Sequence, residues 1–245
     1  MIKATPKRIC WQLLIILGGL TLCACAWAGD PDDPWEGMNR KVYSFNDAVD
    51  RIVLTPVTRA YQAVVPDAVE TGVDNFFSNL GDVGVALNNL LQLKPGEAGS
   101  DTGRVLVNTT LGFFGWMDVA SQLGMTKHNE DFGQTLGYWG IGTGPYLVLP
   151  FLGPSNLRDG PGMLADITLW TNSFPDLNAS EESALISLNV VSERGQYLAL
   201  EERTEELGRD QYVFIRDAYL DNREFLVRDG EFSLDDELYE GLDDE

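Results

Sequence analysis

Residues 67–96 read DAVETGVDNFFSNLGDVGVALNNLLQLKPG, and their spacing decides the fold class. Asp67 with Glu70 resembles a capping box, an acceptor followed three residues later by an acid. Val69, Val73, Phe76 and Leu80 follow at intervals of three and four, the repeat of one helix face. Val83, Leu87 and Leu90 form another stripe, and Lys94-Pro95-Gly96 ends it. The same rhythm extends outward. Val42, Phe45, Val49 and Ile52 recur helically after Asn39, until Thr55-Pro56 restarts the pattern as cap and first helical position. Val57, Tyr61 and Val64 carry it to Pro66, and Ser100 or Asp101 can cap the next segment. Near the carboxyl end Ile186, Val190, Tyr197, Leu200 and Leu207 share a face, and Tyr212, Ile215 and Tyr219 open a last amphipathic helix. No alternating run is long enough to require a sheet. The expectation is an all-α fold with little or no β-sheet.

Two stretches break the pattern of a soluble helix. Arg104 to Met125, RVLVNTTLGFFGWMDVASQLGM, is apolar around most of its circumference, but Asn108, Asp118 and Gln122 make it a poor membrane span. Gly133 to Gly162 holds eight glycines and four prolines in thirty residues. It cannot form one long helix, yet it is too apolar for a solvated loop. Both stretches read either as buried core with its turns or as apolar surface turned to lipid.

The composition excludes several functions. The 245 residues carry 17 basic against 38 acidic side chains, a net charge of −21. Five lysines and twelve arginines spread along the chain form no basic patch, so nucleic acid is not an expected partner. Cys10, Cys23 and Cys25 all lie near the amino terminus and His128 is the only histidine, which leaves no Cys/His metal cluster and no Cys–His nucleophile pair. His128, in the polar run Lys127-His128-Asn129-Glu130-Asp131, reads as a surface histidine, with no nucleophile-elbow motif to serve. Gly140, Gly142 and Gly144 resemble a phosphate-cradling loop only superficially, because Pro145 to Pro150 opens no helix. Glu201-Glu202 and Glu205-Glu206 mark a solvated helix face. Asp159 beside Arg158 suggests a buried ion pair that positions a loop. Neither an enzyme nor a cofactor is expected.

The amino terminus reads as an export signal. Lys3, Lys7 and Arg8 precede an apolar stretch from Ile9 to Leu22, and Asp30 is the first acidic residue. Two processing sites compete. Leu22-Cys23-Ala24-Cys25 resembles a lipobox, cleaved before a cysteine that becomes diacylated, which gives a signal over 1–24 and lipidation at Cys25. Ala26-Trp27-Ala28 suits the ordinary signal peptidase, which gives 1–28. Without Lys3, Lys7 and Arg8 the processed chain carries 14 basic against 38 acidic residues, so a polybasic route to anionic lipid is excluded and any membrane contact must be apolar. Residues 231–245 read as an acidic, disordered tail, within a run from Asp229 that holds nine acids and no base.

Several segments together resemble the MlaA (VacJ) family of outer-membrane lipoproteins. Asp33-Pro34-Trp35-Glu36-Gly37-Met38-Asn39-Arg40 with Tyr43, Phe45 and Asn46 looks like its opening signature. Gly112-Phe113-Phe114-Gly115 with Asp118-Val119-Ala120 is similar to its middle segment. Its most distinctive block resembles Asp131 to Gly137, Gly140 to Tyr146, Leu149-Pro150-Phe151, Gly153 and Leu157-Arg158-Asp159. The resemblance implies a single ring-shaped helical domain, here over 30–230, lying in the inner leaflet of the outer membrane beside trimeric porins. It implies a central channel that takes phospholipid from the outer leaflet and passes it to a soluble periplasmic carrier, with no covalent chemistry. Gly140, Gly142 and Gly144, with Pro145, are then the channel or hinge candidates, and Tyr146 and Phe151 the lining or lid positions. A structural porin-associated lipoprotein and a soluble periplasmic lipid-binding protein are the rival readings.

Mass spectrometry of the processed protein distinguishes the two cleavages. A diacylated amino-terminal Cys25 is expected, absent in Cys25→Ala, whereas a chain that starts at unmodified Gly29 would remove the lipid anchor.

Overall fold

The computed structural model describes residues 30–172, 177–201 and 210–230; Cys25 with the rest of the leader, and the tail 231–245, lie outside them. The chain divides into two compact units, Met1–Asp30 and Pro31–Glu245, and every element below belongs to the second. Helix α1 spans Glu36–Val49 and continues through a π-helical turn, Asp50–Leu54, into α2, Thr55–Val64. Thr55-Pro56 therefore does not restart the chain. Pro56 has no N–H to give to the preceding turn, and the widened turn absorbs that loss without a break. Helix α3 is one continuous element, Asp67–Leu91, which unites the two apolar stripes. Its N-cap is Pro66 and no side chain caps it, so Asp67 and Glu70 contribute acidic charge to the first turn instead of a capping box.

Helix α4, Pro95–Thr110, starts a full turn before the expected caps. Pro95 opens the helix, where its missing N–H costs nothing. Asp101 is thus buried in mid-helix, accepting from Asn89 Nδ2 at 2.8 Å. The remaining elements are α5 (Val119–Gln122), α6 (Phe132–Tyr138), β1 (Tyr146–Leu149), β2 (Gly153–Asn156), α7 (Asp159–Asn172), α8 (Ala179–Glu201) and α9 (Gln211–Val227). Asp118, Asp131 and Asp210 cap α5, α6 and α9, each accepting a backbone N–H of the first turn.

The strands form one antiparallel hairpin, with Tyr146 opposite Asn156 and Leu149 opposite Gly153. It lies inside the glycine- and proline-rich stretch, and Tyr146 and Val148 point inward while Leu147 and Leu149 are half-buried. The all-helical expectation otherwise holds. Packing closes into a circuit: α1 touches the π-helical turn, which leads through α2, α8, α3, α6, α9, β2 and β1 back to α1.

The interior is unusually polar. The apolar cluster centres on Tyr146, Val148 and Tyr212, joined by Val42, Tyr43, Val213, Tyr219 and Leu220. Elsewhere the buried positions belong to side chains such as Asn39, Thr58, Asp82, Asn88, Asn89, Asp101, Arg104, Gln134 and Thr135. On α3 the second expected stripe, Val83, Leu87 and Leu90, is exposed, while Asp82, Asn88 and Asn89 are buried together with Phe77, Val85 and Ala86. Such groups must be paired. Arg104, almost wholly buried, donates to Met125 O at 2.8 Å, to Ser121 Oγ at 3.1 Å and to Asp118 at 3.3 Å, and lies 3.4 Å from Asp82. Burial pushes the Asp118 carboxyl up, but bonds from Ser121 and Asn108 and the Arg104 charge bring it down to about 2.

A second knot joins three helices. Arg223 of α9 donates from Nε to Asp159 at the start of α7, at 2.8 Å, and from Nη2 to Asp131 at the cap of α6, at 2.9 Å. Arg158 Nε reaches Asp159 at 2.7 Å and the Tyr219 hydroxyl donates to it at 3.0 Å. The Arg158–Asp159 pair expected from the sequence is present and buried. Burial pushes Asp131 and Asp159 up, and the facing guanidinium groups overcome it and hold both below the usual carboxylate range.

Removing one partner leaves buried charge uncompensated, which typically costs about 3–5 kcal/mol. Arg223→Met should therefore lower the melting temperature by roughly 6–12 °C at neutral pH. Depressed carboxyl values contribute stability above the unfolded value, and it is lost as pH falls through the folded ones. The wild type should accordingly lose stability below about pH 4, with a shallower acid slope in the variant, measured by thermal melts across pH.

Candidate functional site

Polar groups inside leave apolar ones outside. Among the described residues, large hydrophobic side chains are exposed along α1 to α3 (Phe45, Ile52, Val57, Val64, Leu87, Leu90) and on two loops. Where such side chains gather into one patch they mark a surface that meets a partner or a membrane. No described helix is long and apolar enough to cross a membrane.

The first loop, 111–118, joins α4 to α5. Phe113 and Phe114 both adopt left-handed backbone, with φ of 58° and 60°, and are 72% and 70% exposed. Two adjacent aromatic residues in that conformation cost roughly 1–2 kcal/mol each. The loop nevertheless holds its shape through its own hydrogen bonds: Phe114 N–H to Thr109 O at 3.0 Å, Gly115 N–H to Asn108 O at 2.8 Å and Met117 N–H to Gly112 O at 2.8 Å. With Phe76 and Trp116 the two rings line an open cleft of about 370 Å³.

The second loop is the hairpin turn. Phe151, with φ of 65°, is 73% exposed at its tip, its ring edge-on to Phe45 with centroids 5.2 Å apart. Helix α1 holds the hairpin with two asparagines, two turns apart. Asn39 donates to Tyr146 O at 3.1 Å and accepts from Val148 N–H at 3.0 Å, while Asn46 donates to Leu149 O at 2.9 Å and accepts from Phe151 N–H at 2.8 Å. The Asn39/Asn46 interval of seven is visible in the sequence, but nothing there identifies their partners 103 to 109 residues away.

The hinge and lining candidates occupy different environments. Gly140 is exposed, with φ of 86° and open space where a side chain would stand. Gly142 is equally open and does not take the left-handed conformation. Gly144 has φ of 66°, and a Cβ there would come 3.0 Å from Leu157 Cβ. Pro145 is half-buried and its carbonyl accepts from Leu157 N–H at 3.1 Å. Tyr146, 1% exposed, is a core residue in this structure, its hydroxyl pushed up to about 12 by burial and then by Asp33. It opens β1 within the core, whereas Phe151 lies beyond the strand's far end, at the tip of the turn. His128 departs from the surface reading. It is half-buried, with Nδ1 2.8 Å from the buried carboxylate of Asp101. Among the described residues no group of three or more His, Cys, Asp or Glu is disposed to hold a metal.

The model of the MlaA lipoprotein family matches residues 31–226. The chain belongs to that family. A relative from Shigella flexneri, the intermembrane phospholipid transport system lipoprotein MlaA, is 33% identical over 225 residues, covering 89% of this chain and 88% of the relative. The MlaA of Escherichia coli strain K12 is 32% identical over 228 residues with the same coverage. A chain solved in work on the structural basis for maintenance of bacterial outer membrane lipid asymmetry superimposes with a TM-score of 0.69 at 31% identity, covering 80% of this chain and 98% of that one. The MlaA fold is thus shared, including its predominance of helix.

Alanine should separate the glycines. Gly144→Ala places a Cβ against Leu157 in left-handed backbone and is expected to cost about 1–2 kcal/mol, whereas Gly142→Ala should stay within roughly 0.5 kcal/mol of wild type in denaturant unfolding.

Proposed function

We propose that this MlaA-family protein is the outer-membrane component of a retrograde phospholipid transport system. It removes phospholipid that has strayed into the outer leaflet and passes it to a soluble periplasmic carrier, so that lipid asymmetry is maintained. The observation that carries this reading is the inversion of the fold, with charged and amide side chains turned inward and rings and aliphatic chains turned outward. A protein lying within one leaflet meets hydrocarbon on its outside, so outward apolar groups gain what a soluble protein gains in its core. The function of the relatives in Shigella and Escherichia coli, phospholipid transport between membranes, supports the same reading.

The corresponding location is the inner leaflet of the outer membrane, on the periplasmic side, held by acyl chains on Cys25 and by the apolar rim. Each buried methylene of an acyl chain contributes about 0.8 kcal/mol, so two chains hold strongly. A trimeric porin is the neighbour proposed for the rim. The protein performs no covalent step: the transfer is a movement of lipid along surfaces. Gly140, Gly142, Gly144 and Pro145 are proposed as the hinge beside the hairpin, with Phe151 at its exposed tip. Gly142 is the informative position, since alanine there leaves the backbone unstrained.

Deleting the gene should raise phospholipid at the cell surface, measured by acylation of lipid A or by an impermeant amine reagent, and wild type should restore it. An unchanged surface in the deletion strain, with no second homologue present, would leave a structural envelope lipoprotein instead. Gly142→Ala that folds normally but fails to restore asymmetry supports the hinge; full restoration removes it.

A further inference from the structure

We propose that the outer face of α9 docks a basic, water-soluble protein, which under the transport reading is the lipid carrier. The inference rests on that reading for the partner's role and on charge for the partner's chemistry. Asp210 at the cap, then Phe214, Asp217 and Asp221, follow at intervals of four, three and four, so they share one face of the helix. Tyr212 and Arg223 point the other way and are buried, one against Tyr146 and the other on Asp131 and Asp159. The helix that presents the outer face is thus fixed from behind. Among the described residues, the four of this face, with Val213 and Ala218, line an open cleft of about 510 Å³. Phe214, 44% exposed, forms its apolar centre, and the three carboxylates stand around it. An aromatic centre within a polar rim is the anatomy of a protein interface.

The rim carries one sign. Arg40 and Arg216 are the cations beside it, and both are engaged. Arg40 pairs with Glu36 at 2.7 Å and with Asp210 at 2.8 Å, and lies over the Tyr212 ring. Arg216 reaches Asp217 at 2.8 Å, but it is largely buried and its other end lies 3.8 Å from the buried Asp33. Asp221 is exposed and enters no ion pair among the described residues. Asp32 adds another exposed carboxylate on the segment that Tyr212 holds through Asp33. Like charge repels the other candidate occupants: anionic lipid, nucleic acid, the acidic segment 231–245 and the same face of a second copy. A partner that brings lysine or arginine to the rim and an apolar side chain to Phe214 is attracted instead. Rim charges act mainly on the rate of encounter, and salt weakens them. That suits a carrier, which must arrive, take lipid and leave.

The test uses the full-length protein in its own membrane. Photoreactive benzoylphenylalanine replaces Phe214 in one strain and the exposed Tyr197 of α8 in another, and mass spectrometry identifies each adduct. The expected adduct at 214 is one soluble protein with more lysine and arginine than aspartate and glutamate, absent at 197. The double variant Asp217→Lys/Asp221→Lys should lower its yield about tenfold. Exchanging the partner's cross-linked basic residues for glutamate should restore the yield with that variant. An adduct to phospholipid, to a membrane protein or to this chain itself, no adduct at all, or a yield that charge reversal leaves unchanged would overturn the docking face. The double variant should melt as wild type does; if it does not, Asp221→Lys alone carries the measurement, since that side chain holds no ion pair. Surface phospholipid separates the two readings. If gene deletion raises it and the double variant restores it fully, the docking face fails and transport stands. If deletion changes nothing, the transport reading fails, and the adduct at 214 still decides the docking face.

Discussion

Arg223 stands where three helices meet, and its two aspartate partners show what the fold must satisfy. Asp131 caps α6 and Asp159 opens α7, so each carboxylate already serves a helix start before it meets the guanidinium from α9. A single cation thereby ties two helix starts to the last described helix. The hairpin depends on this knot, because Asp159 closely follows β2 and α9 packs on that strand. Charge at this junction does the work that a leucine cluster does in an ordinary domain. It is more demanding work, since buried ions hold only when every one is paired.

Such an interior makes sense only with the exterior it accompanies. Apolar burial against water stabilises a soluble domain. Here many apolar side chains stay exposed, and the segments inside satisfy one another by directional bonds. Arg104, with donors engaged by Asp118, Ser121 and Met125, repeats the arrangement at the junction of α4 and α5. The loop of Phe113 and Phe114 begins beside that junction. Its strained backbone is tied to the end of α4, where the Asn108 carbonyl takes the Gly115 N–H and the Asn108 side chain donates to Asp118.

Helices are legible in the sequence because their period is local. The stripes on α3 come from spacing alone and most elements stand where that spacing puts them, whereas the restart expected at Thr55 is bridged by the π-helical turn. The sides to which those stripes turn are not legible. Val83, Leu87 and Leu90 repeat like any core stripe, and periodicity carries no sign to separate a buried face from an exposed one. The start of α4 misleads because Ser100 and Asp101 are good caps while Pro95 is also a good first residue, and Asp101 is needed in the interior by Asn89 and His128. The hairpin escapes notice because four-residue strands are too short for an alternation to stand out. Of the nominated site residues, the glycines lie in turns as their composition suggests. Tyr146 is drawn into the core by Tyr212 and Tyr219, a contact across more than sixty residues that no local pattern announces.

The asparagines of α1 have one more consequence. A two-stranded sheet has two free edges, and a free edge invites a strand from another chain. Along β1 the edge away from β2 is occupied: the N–H of Tyr146 goes to Asp32, its carbonyl and the N–H of Val148 go to Asn39, and beyond the strand end Asn46 holds the Leu149 carbonyl and the Phe151 N–H of the turn. Each amide side chain imitates the peptide of a neighbouring strand without continuing it. A chain with so many exposed apolar side chains has many ways to stick to its copies; the helix that delivers those amides removes strand addition along β1 from the list.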